Sequence, residues 1–489
     1  MHAFKETERM LHLEGFHGII NAINTVLWSY VLIVVLIGIG VWFTLRTKFV
    51  QIRMLPEMLR LLTHGIGVKT TGKQISTFQA FCVSTASRVG VGNIAGVAIA
   101  IVTGGPGAVF WMWVIAFFGC ATGFVESTLA QIYKLPRGNG TFHGGPAYYI
   151  QNALKKPGIA KLFAFLISVT FGLIYNSVQA NTIALSVEAA FGVGHITTAL
   201  CLCVLTSLVI FGGMTRIAKV AELLVPVMAG IYLLAAFIVF VTSIDQVPAM
   251  FALILHDAFN PQAAVGGGLG TAILTGVKRG LFSNEAGEGS VPNAAATATT
   301  THPVKQGLVQ SFGVYVDTWI VCTATAFIIL LTGQYTIGGS LTGIALAQQS
   351  LALNFGSWAP NFLSVIVFMF AFSSIVGNYY YGEINISFFK GNTKRYLLIF
   401  RGFVVLMVFF GSLADLSLVW DMADLFMGFL CLTNLYAISQ LSKYAYAAFH
   451  DYLSQKAAGI KDPEFDPSIL SDDTGIYAWG LEKVRKTEE

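Results

Sequence analysis

Charge is what this chain has least of. Its 489 residues include 29 Lys and Arg and 25 Asp and Glu, 11% in all, against 55% hydrophobic residues. So few charges cannot dress a surface of that size for water, which excludes a soluble enzyme and turns most of the exterior toward hydrocarbon. The net charge is only +4 and the basic residues are scattered, so nucleic-acid binding gains no support. Cysteine is scarce too. Cys82, Cys120, Cys201, Cys203, Cys322 and Cys431 lie in apolar stretches without metal-ligand spacing and read as buried free thiols. No Walker-type lysine motif occurs, and no nucleophile, base and orienter stand at motif spacing. Gly90-Val91-Gly92-Asn93 is no nucleotide fingerprint, because the third glycine comes late and no strand precedes it. His143 and His302 fall in connections, where solvated surface is the default. The charged N-terminal stretch lacks the apolar core and cleavage site of a secretory signal.

What the chain has in quantity is apolar runs of about 20 residues, the length that crosses a bilayer at 1.5 Å rise per residue. Eleven are predicted, near 27–45, 78–102, 108–132, 161–188, 196–213, 220–243, 265–297, 307–332, 361–385, 396–412 and 418–441. Lys and Arg, which gather in cytoplasmic loops, then fall in every second connection. One set carries Arg46 to Lys73, Lys134 to Lys161, Arg216 and Lys219, then Lys278, Arg279 and Lys305, then Lys390 to Arg395; the alternate connections have none. The N-terminus is therefore expected outside and the C-terminus in the cytoplasm. Arg53–Leu62 reads as an interfacial amphipathic helix. Gly343–Phe355 reads as a short outer helix acting as a lid, or as a packed surface loop. The tail beyond Lys443, broken by Pro463 and Pro467, is assigned no activity.

Glycine marks where helices should break. Gly90, Gly92 and Gly96 interrupt the second span, and Gly266, Gly267, Gly268 and Gly270 open the seventh, five spans later. Each glycine costs a helix about 1 kcal/mol relative to alanine. Setting the first span aside leaves ten helices in two halves of opposite sense, each starting with a broken helix. Such paired breaks point to a secondary transporter's site at mid-membrane, because freed backbone groups in hydrocarbon need a polar guest. Half-helix N-termini suit a carboxylate, and freed carbonyls and hydroxyls suit a monovalent cation. The competing reading is close helix packing of the small-xxx-small kind, as Gly92 to Gly96, Gly119 to Gly123 and Gly276 to Gly280 permit. Ionisable residues at depth are Arg88, Glu126, Glu188, Asp317, Glu383, Arg401, Asp421 and Asp424, most of them readable as structural pairs. Gln179 and Asn181 sit mid-span. Ser373 and Ser374, five residues before Asn378, suit an oxygen cage for sodium or bond back to their own helix.

The stretches Arg88-Val89-Gly90-Val91-Gly92-Asn93-Ile94-Ala95-Gly96, Gly104-Gly105-Pro106-Gly107-Ala108-Val109-Phe110-Trp111, Gly144-Gly145-Pro146-Ala147, Val178-Gln179-Ala180-Asn181, Phe282-Ser283-Asn284-Glu285-Ala286-Gly287 and Tyr379-Tyr380-Tyr381-Gly382-Glu383 closely resemble the alanine or glycine:cation symporter family, in particular bacterial sodium:alanine symporters. The similarity runs from about residue 22 to 450. It implies an all-α polytopic membrane protein of 11 transmembrane helices: one N-terminal helix plus the five-plus-five inverted-repeat core of the amino-acid/polyamine/organocation superfamily, leucine-transporter-like. The divisions are then 1–77, a first repeat 78–243, a second repeat 244–441 with an outer lid loop 333–360, and a cytoplasmic tail 442–489.

The resemblance implies sodium-coupled import of alanine, glycine or D-alanine across the bacterial inner membrane, with no obligate protein partner. It places the substrate carboxylate at Gly90, Val91, Gly92 and Asn93 near Gln179, and the ammonium at Gly268, Leu269, Gly270 and Thr271. Sodium falls to the carbonyls of Ala86 and Val89 and the hydroxyls of Ser373 and Ser374. Asn378 stands where many members have Trp, Leu269 where an aromatic is usual, and Glu288 where an apolar residue is common, so the side-chain pocket is expected to differ. A proton-coupled cycle would need a titrating carboxylate, for which Glu126 and Asp317 are candidates. An amino-acid sensor or an ion channel of the same fold is the alternative, and an enzyme is disfavoured.

Overall fold

The computed structural model describes residues 15, 17–65, 74–137, 140–211, 214–260, 268–389 and 393–479, without the side chains of 214–224 and 268–269. The described residues are mostly helical, with one two-stranded ribbon among them, β1 (Leu135–Pro136) against β2 (Phe142–His143). Among the described residues eight helices are long and apolar enough to cross a membrane. They are α1 (His17–Arg46), α5 (Gly107–Ile132), α7 (Pro157–Phe191), the Val225–Thr242 part of α9 (Met214–Thr242), α13 (Pro303–Thr332), α15 (Ala359–Ile386), α16 (Thr393–Leu413) and α17 (Leu416–Ala457). A bent pair, α3 (Thr77–Arg88) with Val91–Gly104, makes a ninth. The other two expected spans are shorter helices, α8 (His195–Ile210) and α11 (Gly268–Asn284). This is a polytopic membrane protein. Leu200, Leu208, Leu234, Phe237, Leu398 and Leu406 are exposed on the outside of the bundle, which water would punish and lipid does not.

Two expected surface elements are helices anchored to the bundle. α2 (Leu55–Gly65) is held at Glu57, whose carboxylate accepts from Arg60 at 2.6 Å and from the Tyr452 hydroxyl at 2.5 Å. α14 (Gly343–Phe355) inserts Gln348, whose amide donates to Ser186 O at 3.1 Å and Ser364 Oγ at 2.9 Å, joining α7 to α15.

The segment after α17 packs against the end of the bundle. Phe465 N–H donates to Thr301 O at 3.0 Å, and the Trp479 indole donates to Gln131 O at 2.9 Å beneath the Lys134 ammonium, 4.6 Å from its ring. His302, expected to be solvated, is buried here, which corrects that expectation. Its Nδ1 accepts the Val304 N–H at 3.2 Å, capping α13, and Nε2 lies 3.1 Å from Asp451 Oδ2. Burial pushes the imidazole from its ordinary 6.5 down to about 4, because the charged ring would lose its water. A depressed folded value means that the unfolded chain binds the extra proton first. The stability from this site is therefore present above pH 6.5 and is lost as pH falls toward 4. Thermal melts in detergent should show a decline in midpoint across that window that His302→Gln flattens; an unchanged pH profile in the variant would remove His302 as its source.

Candidate functional site

The first expected break is where the glycines place it. Ser76 and Gln79 start α3 with a reciprocal capping box, at 3.1 Å each way. The helix ends at Arg88, a short 3-10 turn covers Val91–Asn93, and α4 (Ala95–Gly104) resumes at 59° to the first half. Asn93 holds the unwound stretch open: its Oδ1 takes the Gly90 N–H at 2.9 Å, the proton that would otherwise close a helical bond to Ala86 O. Its Nδ2 donates to Asp317 Oδ1 at 2.6 Å, and its carbonyl accepts from the Thr325 hydroxyl at 2.6 Å. Asn93, expected on the substrate, thus spends these polar atoms on the protein and sets the shape of the break.

The carbonyl that Asn93 frees is the one expected to hold sodium. Ser374 Oγ lies 3.1 Å and Ser373 Oγ 3.4 Å from Ala86 O, and both hydroxyls also reach Phe370 O, at 3.0 and 2.8 Å. The serine pair therefore bonds back to its own helix and also faces the break. A cation here would meet the oxygens of Ala86, Ser373 and Ser374; Val89 ends the helix beside them, its N–H on Thr85 O at 2.8 Å.

Gly90 is wedged between two other helices. A Cβ on it would overlap the Ser374 hydroxyl and stand 3.0 Å from Gln179 Oε1. That same Oε1 accepts the Val91 N–H at 3.1 Å, which leaves Nε2 as the donor end of Gln179. On the far side, a Cβ on Gly92 would stand 2.9 Å from the Phe282 ring and 3.3 Å from Ser283 Cα.

The second break needs a correction. Gly268, Leu269, Gly270 and Thr271, expected to be unwound and to bind the ammonium, are helical in α11; Gly266 and Gly267 lie outside the described residues. Gly270 is exposed with nothing within 4 Å of a would-be Cβ, and twelve residues at 1.5 Å each put it about 18 Å from Phe282. Glycines of this helix instead make a packing seam: a Cβ on Gly276 would stand 2.7 Å from Trp111 Cβ, and one on Gly280 3.2 Å from Met112 Cα. Lys278 and Arg279, counted above with the loop cations, sit in α11 and pair with Asp424 of α17, Lys278 at 3.4 Å.

The helix actually breaks after Asn284. Glu285 to Ser290 is irregular before α12 (Val291–Ala295), with φ of 57° at Glu285, 98° at Gly287 and 78° at Gly289. A left-handed glutamate is uncommon and is held by its surroundings. Glu285 Oε1 lies 2.7 Å from Ser87 Oγ, and Ser87 Oγ lies 2.7 Å from Asn378 Oδ1. One hydroxyl proton cannot serve both; turning the Asn378 amide so that its now unpartnered Nδ2 donates to Ser87 completes the chain. The two breaks therefore meet: Gly92 touches Phe282 and Ser283, and Ser87 touches Glu285.

Sequence reasoning missed Glu285, Ser283, Cys322, Thr325 and Tyr175. Cys322 Sγ lies 3.1 Å from Ser283 Oγ, and the Tyr175 ring lies 4.7 Å from that of Phe282. Two π-helical turns, Thr170–Tyr175 and Tyr315–Cys322, deliver Tyr175, Asp317 and Cys322, in keeping with the functional placement of such bulges. The usable signal was the run Glu285-Ala286-Gly287-Glu288-Gly289, two acids and two glycines inside an apolar span. Other expected residues resolve as pairs. Asn181 donates to Gly411 O and Ala414 O, capping α16; Arg401 donates to the Tyr379 hydroxyl at 2.7 Å, with Glu383 at 3.8 Å; Asp421 meets His17 at 2.6 Å; Glu188 meets His195 at 2.8 Å. Cys82, Cys120, Cys322 and Cys431 are buried and outside any disulfide, as expected, whereas Cys203 is half-buried and Cys201 is exposed, which corrects the expectation for those two.

Comparison with known proteins gives the family. Residues 13–467 match the model of the sodium:alanine symporter family. The chain is 52% identical to a probable sodium/glutamine symporter of Bacillus subtilis over 96% of its own length and 97% of the relative's. It is 50% identical to an amino-acid carrier protein of the same organism, covering 96% and 98%. A sodium/alanine symporter of Methanococcus maripaludis is 40% identical over 87% of this chain and 95% of the relative. The matches span nearly the whole chain, including both breaks, and the protein belongs to the sodium:alanine symporter family, a transporter rather than an enzyme.

Proposed function

We propose that the protein is a sodium-coupled symporter that imports a small neutral amino acid across the bacterial inner membrane by alternating access. The observation that carries this reading is the meeting of two broken helices at Gly90–Asn93 and Phe282–Ser290, with Gln179 on one side and Ser373 and Ser374 on the other. Under this reading eleven helices cross the membrane, α1 followed by two inverted sets of five, with the N-terminus outside and the C-terminus in the cytoplasm. The substrate carboxylate takes the half-helix N-terminus at Gly90–Gly92 and Nε2 of Gln179, and sodium takes Ala86 O, Val89 O and the two serine hydroxyls. The ammonium, deprived of its expected partners on Gly268–Thr271, takes the end of α11 and the oxygens of the Glu285–Ser290 break. Alanine, glycine and D-alanine fit the family; the relative named a sodium/glutamine symporter adds glutamine, for which Asn378 offers an amide partner.

Sodium and a zwitterion together satisfy both breaks, which neither does alone. One sodium ion falling through about 100 mV releases roughly 2.3 kcal/mol, and a tenfold gradient adds about 1.4 kcal/mol. That sum sustains accumulation of several hundredfold. Purified protein in proteoliposomes should take up radiolabelled alanine or glutamine uphill under an inward sodium gradient and not under potassium. Binding without accumulation under any gradient would favour a sensor, and flux that never saturates would favour a channel.

A further inference from the structure

Three carboxylates converge on the second break, and they are not equally well served. Glu126 of α5 accepts the Gly287 N–H at 3.2 Å and the Asn434 amide at 2.8 Å, one donor on each oxygen. Glu285 has Ser87 at 2.7 Å and Ser290 at 2.5 Å, again one on each. Glu288 accepts from the Tyr175 hydroxyl at 3.1 Å through Oε2, while its buried Oε1 has no partner among the described residues. Its side chain is 0% exposed. The titratable groups that face it are Glu285 of the same break, Glu126 of α5, Tyr175 of α7 and Cys431 of α17, none of them a cation. No ion pair to any of the three acids exists among the described residues.

An ionised carboxylate at this depth, with a bare oxygen and two acidic neighbours, is costly enough that the group takes up a proton instead. A metal ion is a poor substitute, because hard cations want about six oxygens and this place offers a carboxylate and a phenol. Glu288 sits on the irregular turn of the broken helix, not within a regular helix.

We propose that Glu288 is a proton-binding site of the transport cycle. It receives its proton from the outer solution together with sodium and the amino acid, is neutral while the break is closed around them, releases the proton to cytoplasmic water when the inner side opens, and returns without it. Only the O–H bond at Oε1 forms and breaks, with water as donor and acceptor. Glu126 and Asp317 have their donors and stay outside this exchange. The proposal rests on the symporter reading above.

The test uses full-length protein in proteoliposomes that enclose a pH-sensitive dye, with the sodium gradient and membrane potential held fixed. For wild type, an inward gradient of one pH unit should raise steady-state accumulation about tenfold, the value of one coupled proton, and substrate addition should acidify the lumen. Glu288→Gln, which mimics the neutral acid, should lose both effects, and so should Glu288→Met, with a thermal melt of each variant in detergent to check that it is folded. A Glu288→Gln variant that follows the pH gradient as wild type does, or a wild type that accumulates substrate without moving protons, overturns the proposal. If wild type accumulates nothing under any gradient, the symporter reading itself fails. The site is then read by infrared spectroscopy in detergent: a protonated-carboxyl band at neutral pH that Glu288→Gln removes supports proton binding, and identical spectra overturn it.

Discussion

Replacing Gly90 by alanine is expected to cost roughly 10- to 100-fold in apparent substrate affinity while the protein still folds and inserts. The φ of Gly90 is −138°, outside the left-handed region, so the penalty is one of contact and not of conformation. The added methyl would overlap Ser374 Oγ and press on Gln179 Oε1 and on Ser374 Cβ, 3.2 Å away. Both neighbours belong to helices held elsewhere, so neither can retreat far, and overpacking of this kind costs about 1–3 kcal/mol, which sets the fold-change. The same substitution at Gly270 is the control. That residue is helical, exposed and without neighbours among the described residues, and alanine there should leave affinity within about twofold and favour the helix slightly. Substrate titrations of the two variants under a fixed sodium gradient separate the outcomes. Equal affinities for Gly90→Ala and wild type would detach Gly90 from the site, and a large loss at Gly270 would return the ammonium to the place first expected for it.

Ser374→Ala is expected to raise the sodium concentration for half-maximal uptake by about 10- to 100-fold, with a smaller rise for Ser373→Ala. A hydrogen-bonding or ligating oxygen facing a charged group contributes about 1.5–3 kcal/mol. Ser374 Oγ stands closer to Ala86 O than Ser373 Oγ does, 3.1 against 3.4 Å, which orders the two effects. Loss of the hydroxyl also leaves Phe370 O its own helical partner, so the fold should tolerate either change. Sodium titrations at saturating substrate check this. If both variants keep the wild-type sodium dependence, the cation is bound elsewhere and the freed carbonyl of Ala86 has another use.

The first break was legible because its signal is local: three glycines in seven residues within an apolar run state their own helical penalty. The same reasoning failed at α11, since glycine has two uses in membrane helices and the chain there employs the second. Gly276 and Gly280 let α5 approach, and nothing in the order of residues says whether a partner helix will be there. The break after Asn284 combines left-handed Gly287 and Gly289 with a left-handed Glu285, whose side chain is held by Ser87 and Ser290. Asn93 was singled out in the sequence, but only its neighbours Asp317 and Thr325 reveal that its amide and its carbonyl are bonded within the protein. The C-terminal segment, to which no activity was assigned, packs on Thr301 and Gln131 through contacts that no helical period announces.

By itself, the sequence determined the solvent this protein lives in, the rough positions of its helices and the first interruption among them. Run length, charge scarcity and glycine clustering act within one segment and need no partner. Only the tertiary structure decided which polar groups at depth are paired with one another. Those pairs include partners far apart in the chain, such as Ser87 with Asn378, 291 residues on, or Glu126 with Asn434, 308 residues on. In hydrocarbon an unpaired polar atom is costly whichever residue carries it, so the function of each rests on what the folded bundle brings within hydrogen-bonding distance.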